Sequence, residues 1–334
     1  MTEPNLLITA SPHLSARDST PKIMWHVVLS LVPVVGAAVY FFGVSALLVT
    51  AAATLGAVVT EAVFGQRGTL WDGSAAITGV LLALTLPPGL PMWMAFIGGA
   101  FAIGFGKLIF GGLGQNIFNP ALLGRAFLQA AFPVALTTWP VPSGGFWALK
   151  GDNFALPFAS PHPIDVVTGA TPLGLMKFDH AGTEVWKLVL GVTGGSLGET
   201  SGLVILLCGA YLATRNYLNW RVPISIFLTV FVFAQILHAV NPGRYPDGLF
   251  MLFSGGLMLG AVFMATDLVT SPVTHLGCWL FGLGIGVLVV VIRIWGGLAE
   301  GVMYAILLMN AMVPFINRAT QPAVFGHATR GKQA

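Results

Sequence analysis

The chain has 334 residues, 56% of them hydrophobic and only 8% charged, against about 25% charged in a typical soluble domain. No soluble core of this length could bury that much apolar surface, so the composition excludes a water-soluble enzyme. The net charge of +3 gives no basis for nucleic-acid binding.

Residues 1–22, MTEPNLLITASPHLSARDSTPK, lack the basic start and short apolar run of a cleaved signal peptide and read as a polar arm. After it, apolar runs separated by Gly, Pro and charge predict ten crossings. They lie near Ile23–Phe42, Val44–Phe64, Gly73–Leu86, Met92–Phe110, Ile117–Phe132, Thr200–Ala213, Pro223–Val240, Leu249–Ala265, His275–Ile294 and Gly301–Ile316. The third, sixth and eighth fall short of the roughly 20 residues that cross a hydrocarbon core. Short spans predict broken helices whose open ends need protein or water around them. Cys208 and Cys278 both fall in apolar runs and read as small buried hydrophobes, with no disulfide implied.

Lys and Arg set the orientation. With the N-terminus in the cytoplasm, nine of these residues lie inside and five outside, namely Lys150, Lys177, Lys187, Arg244 and Arg293; Arg125 is early in the fifth span. The expected organisation is a cytoplasmic arm (1–22), a first five-helix half (23–133), a long periplasmic loop (134–185), a second five-helix half (186–317) and a cytoplasmic tail (318–334).

The halves resemble each other. IFGGLGQNIFNPALLGRA (109–126) aligns without gaps to IWGGLAEGVMYAILLMNA (294–311), and Thr85 in LTLPP stands opposite Thr266 in MATDLVTSP. An odd number of spans per half brings the second half in from the other side. The expected fold is therefore all-α and polytopic, a 5+5 inverted repeat whose substrate or ion sites lie at the repeat interface.

Five segments carry a family resemblance: ASPHLSARDSTPKIMWHVVLSLVP, FGGLGQNIFNPALLGRAFL, DVVTGATPLG, GGSLGETSGL and FMATDLVTSP. Together they resemble the RnfD membrane components of Rnf complexes, the ion-translocating ferredoxin:NAD oxidoreductases. The NqrB component of Na⁺-translocating NADH:quinone reductase is similar, and modest length with a short arm fits the Rnf member better. The resemblance implies a urea-transporter-like fold in the bacterial inner membrane. It implies an electron-transfer component that couples electron flow to Na⁺ or H⁺ movement and is catalytically incomplete alone. Its partners would be a second covalent-FMN subunit, iron–sulfur subunits, membrane lipid and a maturing flavin transferase.

In that family FMN is esterified through its phosphate to the last Thr of Asp-x-x-Ser/Thr-Gly-Ala-Thr. The pattern maps onto Asp165, Thr168, Gly169, Ala170 and Thr171, which makes Thr171 the attachment residue. A stand-alone channel for a small neutral solute, which a urea-transporter-like repeat would also allow, has no use for this pattern. The resemblance also implies a noncovalent riboflavin near GQNIFNP. There Asn116 and Asn119, read as one face of the fifth helix, either hydrogen-bond the ring edge or serve as helix caps and interhelical links.

Charge inside a span calls for a reason. Asp267, with Thr85, Thr266 and Thr270, is either part of an ion route or a cytoplasmic cap or ion-pair partner. Glu199 and Glu300 fall near outer helix ends, and Lys107 and Arg293 stand at span ends, where long side chains snorkel. The seven histidines show no ligand spacing, so no metal is expected. No nucleotide loop or iron–sulfur cysteine set is present, which assigns the nicotinamide and ferredoxin chemistry to other subunits.

Overall fold

The computed structural model describes residues 18–65, 68–140, 145–147, 149–157, 169–179, 181–191, 193–199 and 201–322, and its elements are all helical. Asp165 and Thr168 lie outside the described residues, as do most of the N-terminal arm and C-terminal tail.

The first half comprises α1 (Thr20–Phe42), α2 (Val44–Phe64), α3 (Ser74–Leu84), α4 (Met92–Ile103) and α5 (Pro120–Ala131). Short helices follow: α6 (Pro133–Thr137), α7 (Pro172–Gly174) and α8 (Val185–Leu190). The second half has α9 (Gly202–Thr214), α10 (Arg221–Val240), α11 (Gly248–Phe253), α12 (Leu257–Leu259), α13 (His275–Trp295) and α14 (Val302–Thr320). A π-helical turn extends α4 over Gly104–Leu108, and another extends α12 over Gly260–Met264.

Five helices, α1, α2, α10, α13 and α14, are long and apolar enough to cross a bilayer, while α3, α9 and the extended α4 are apolar but shorter. Leu29, Leu55, Leu228 and Leu283 are each more than half exposed, as lipid-facing side chains should be. The chain is a polytopic all-α membrane protein.

One sequence expectation is met and another needs correction. The eighth span is broken: α11 stops at Phe253, and the chain turns through Gly255 at φ +66° before α12 begins. A Cβ at Gly255 would stand 2.0 Å from Glu300 Oε2, so both backbone angle and space require glycine. The fifth helix starts at Pro120, not Ile117. Pro120 lacks an N–H and fits the first helical position, and the Asn119 side chain caps it by accepting from the Ala121 and Leu122 N–H groups. Asn116 therefore precedes the helix, and the two amides do not share a helical face.

With no water to drive helices together, close packing must do so, and small residues allow it. α2 packs along α4, and α10 along α13. On α2, a Cβ at Gly56 would meet Phe96 O at 2.1 Å; on α4, one at Gly99 would meet Ala53 O at 2.1 Å. In the second pair Gly282 lies against Ser225 and Gly286 against Thr229, with 2.6 Å from the ideal Cβ in each case. α1 faces α9, and α5 faces α14, which joins the halves.

The loop segment after Thr171 is fastened to the second half. Lys177 Nζ donates to the carbonyls of Gly296 (2.5 Å) and Leu298 (2.8 Å), with Ile292 O at 3.4 Å. These are carbonyls at the C-terminal end of α13 and just beyond, where a cation is favoured. Burial pulls the Lys177 ammonium below its ordinary pKa, an effect set against these acceptors.

Gly99→Ala is expected to cost about 1–3 kcal/mol through overpacking and to lower Tm of the detergent-purified protein. Gly36→Ala, where nothing lies within 4 Å of the new Cβ, should gain about 0.5–1 kcal/mol of helix propensity. Lys177→Met should speed amide exchange of residues 172–179 about tenfold, from the loss of at least ~1.5 kcal/mol of charged hydrogen bonding; unchanged exchange would show that Lys177 does not fasten the loop.

Candidate functional site

Two of the cavities among the described residues bring polar side chains from both halves together, at opposite ends of the bundle. The one at the end that holds the start of α1 encloses about 100 Å³ and is lined by Ser74, Lys107, Asn116, Asn119, Tyr217, Thr266 and Asp267, among apolar neighbours. Lys107 is 2% exposed; it ion-pairs with Glu61 of α2 and donates to Ser74 Oγ at 2.6 Å. Asp72 stands 4.0 Å from the same ammonium. Lys107 is therefore not a snorkelling side chain: two carboxylates hold it inward.

Asn119 Nδ2 donates to Met264 O at 3.2 Å, beyond its capping bonds. The Asn310 amide of α14 accepts from Asn119 N (3.1 Å) and donates to Thr270 O (3.3 Å). Asn119 thus links the first half to the break after α12, with its amide oxygen and one amide N–H engaged within the protein. Asn116 donates only weakly, to Phe118 O at 3.3 Å. Asn116 lines the cavity, and its amide oxygen accepts no hydrogen bond among the described residues.

Asp267 occupies the turn beyond the π-helical end of α12. It accepts from Val269 N and from Thr270 Oγ1, both at 3.2 Å. No helix begins there, and among the described residues no ion pair includes it. Asp267 is half-buried, whereas Thr266 and Thr270 are buried. Thr85, buried at the end of α3, donates to Leu82 O, just as Thr266 donates to Val262 O. Thr85 does not line either cavity.

The second cavity encloses about 110 Å³ and is lined by Arg125 and Gln129 of α5, Trp139, Thr171, Glu199, Gly255, Glu300 and Tyr304. Arg293, 4% exposed, stands behind it. Its guanidinium donates to Met251 O (2.6 Å), Ser254 O (2.9 Å) and Glu300 Oε1 (3.2 Å). Glu300 also accepts from the N–H groups of Gly256 (3.1 Å) and Val302 (3.3 Å). Arg293, too, is held inward by a carboxylate and by the open carbonyls of the α11–α12 break.

Thr171 is half-buried and precedes α7; its Oγ1 accepts from Gly174 N at 3.1 Å. Gly169 N bonds Trp139 O at 2.9 Å, which holds the Gly-Ala-Thr segment against the cavity wall, and Ala170 is exposed. The hydroxyl proton of Thr171 has no acceptor among the described residues. A half-buried hydroxyl on a polar cavity, beside an exposed small residue, suits covalent attachment of a phosphate.

Sequence reasoning assigned no role to Glu61, Asp72, Ser74 or Arg125. The signal was there for two of them: Glu61 is the one carboxylate in the apolar run of α2, and Arg125 the one charge in that of α5.

Over residues 7–326 the chain matches the family described as NQR2, RnfD, RnfE. It is 43% identical to the D-type component of the ion-translocating oxidoreductase complex of Stutzerimonas stutzeri, across 95% of both chains. It is 41% identical to the corresponding component of the proton-translocating ferredoxin:NAD(+) oxidoreductase complex of Clostridium ljungdahlii, across 96% of both. With that of the Na(+)-translocating ferredoxin:NAD(+) oxidoreductase complex of Acetobacterium woodii it shares 39% identity, across 100% of this chain and 99% of the other. Similarity of this extent, on a polytopic helical fold with a polar cavity at each end, makes the chain a member of the NQR2, RnfD, RnfE family.

Proposed function

We propose that this protein is the RnfD-type membrane electron-transfer component of an Rnf-type ferredoxin:NAD oxidoreductase, with FMN esterified to Thr171 and electron flow coupled to Na⁺ or H⁺ translocation. Near-full-length identity to three such components carries the assignment to the complex. The place of Thr171, its hydroxyl on a cavity that also holds a buried arginine, carries the assignment of the flavin. FMN bound there supplies the redox chemistry, and the protein sets its position and potential. Partners would be the other membrane and iron–sulfur subunits, a second covalent-FMN subunit and the flavin transferase.

The architecture under this proposal is a ten-helix inverted repeat of urea-transporter type. Two features support it. α2 against α4 is matched by α10 against α13, and α4 against α5 by α13 against α14. Residues that correspond in the gapless alignment line opposite cavities: Leu113 and Asn119 the first, Leu298 and Tyr304 the second. The termini then lie in the cytoplasm and the Thr171 loop in the periplasm, in accord with the Lys and Arg distribution. A noncovalent riboflavin would occupy the termini-end cavity, with the Asn116 amide oxygen as the group left to receive the ring's N–H. Asp267, with Thr266 and Thr270 beside it, would mark the cytoplasmic mouth of an ion route, and Thr85 would take the matching position in the first half.

Expressed with a flavin transferase, the wild-type chain should fluoresce under ultraviolet light in a denaturing gel, and Thr171→Ala should be dark. A dark wild-type band, with the transferase active on another substrate, would remove the redox reading of this loop. In reconstituted vesicles Asp267→Asn should lower ion uptake per electron transferred; complexes that retain full pumping would sink the ion-route role.

A further inference from the structure

The Thr171 cavity holds a buried cation that makes no ion-pair contact among the described residues. Arg125 is 8% exposed and lines the cavity. Its enclosed Nε has no hydrogen-bond partner among the described residues, and none of the ion pairs among those residues reaches it. Glu300 is engaged elsewhere, by Arg293 and two backbone N–H groups. Glu199 lines the same cavity, and the charge of Arg125 acts through space on it and on Glu300, with no ion-pair contact to either among the described residues. A guanidinium cannot shed its charge, and carboxylates that act on a buried one without direct contact repay its desolvation only in part. The protein has left room beside it for an anion.

We propose that Arg125 binds the phosphodiester of the flavin at Thr171. This rests on the FMN reading of that residue. A phosphate joined to Thr171 Oγ1 keeps one negative charge, shared by two unesterified oxygens that enter the space Arg125 lines. Paired oxygens of that kind match the parallel N–H donors of a guanidinium. The cavity of about 110 Å³ is several times the ~10–15 Å³ that one water needs on this measure, room for a tetrahedral oxyanion. Arg125 sits on α5, in the bundle, so the pairing would fix a loop-borne cofactor to a rigid helix. Transfer of FMN onto Thr171 does not require this contact; the posture of the flavin afterwards does.

The test is phosphorus NMR on the membrane-reconstituted complex, read beside covalent flavin fluorescence in a denaturing gel. The Thr171 phosphodiester resonance is assigned as the one that disappears in Thr171→Ala. Arg125→Gln should keep the fluorescent band but move that resonance toward its position in the unfolded protein. Arg125→Gln leaves Glu199 near a lost cation and could disturb folding, so Arg125→Gln/Glu199→Gln, which removes both charges, is measured as well and should show the same displacement. If the double variant keeps the wild-type resonance, Arg125 serves only to balance Glu199 and the proposal fails. If the resonance that responds to Arg125→Gln survives in Thr171→Ala, the phosphodiester belongs to a lipid headgroup and the proposal again fails. A dark wild-type band overturns the FMN reading itself and with it this inference, an outcome distinct from a fluorescent band whose resonance ignores Arg125.

Discussion

Where a helix stops inside hydrocarbon, its open N–H and C=O groups must find partners within the protein. A buried cation meets open carbonyls at one end of the bundle, and at the other a buried cation holds the side chains around a helix start. Arg293 takes the carbonyls of Met251 and Ser254 where α11 gives way to α12. Lys107 donates to Ser74 Oγ at the start of α3, just past the left-handed Gly73. Each cation needs a carboxylate in turn, Glu300 for one and Glu61 for the other. Burying four charged groups is costly, and their pairing is what makes it tolerable: removing one partner would strand the other in low dielectric, at a cost of about 3–5 kcal/mol.

The cavities follow from those anchors. A helix that spanned the core unbroken would fill it with side chains. Broken helices leave polar turns there: Thr266 to Thr270 after α12 at one end, and Gly255 beneath Leu173 at the other. Polar space at membrane depth is tolerated because protein groups line it. The loop that bears Thr171 meets one of these spaces because Leu173 packs against Gly255 and Lys177 covers the end of α13. The Thr171 loop thus rests on the same break that Arg293 stabilises.

Much of this was legible in the sequence, and the reasons differ by element. α1, α2, α10, α13 and α14 announce themselves because an apolar run of about 20 residues has one outcome in a bilayer. The short eighth span announced a break, but its place at Ser254–Gly256 was hidden, since a Gly-rich stretch in an apolar run reads equally as a close-packed helix or a turn; only the contact with Glu300 decides. The Asn119 cap was hidden by the Ile and Phe before it, although Asn-Pro at 119–120 is a helix-start signal. Lys107 and Arg293 looked like snorkelling ends because their partners are remote: Glu61 is 46 positions from Lys107, and Arg293 reaches Met251 across 42. Pairings of that range have no local signature. Thr171 was legible only through the motif that contains it, and the cavity beside it not at all.

The aligned positions Arg125 and Asn310 carry the argument one step further. Under the proposed repeat they are equivalent, on α5 and α14, one at each cavity end. Asn310 is neutral and its amide is consumed by Asn119 and Thr270, so it closes protein onto protein. Arg125 is charged, and the enclosed part of its guanidinium has no protein partner among the described residues. A neutral scaffold link would have sufficed at both ends if structure were the only demand. At the end where Thr171 lies stands a charge that Glu199 and Glu300 offset only through space, and under the proposed assignment its further partner is an anion that arrives after folding. A covalently attached phosphate is such an anion, and once joined to Thr171 it cannot diffuse away.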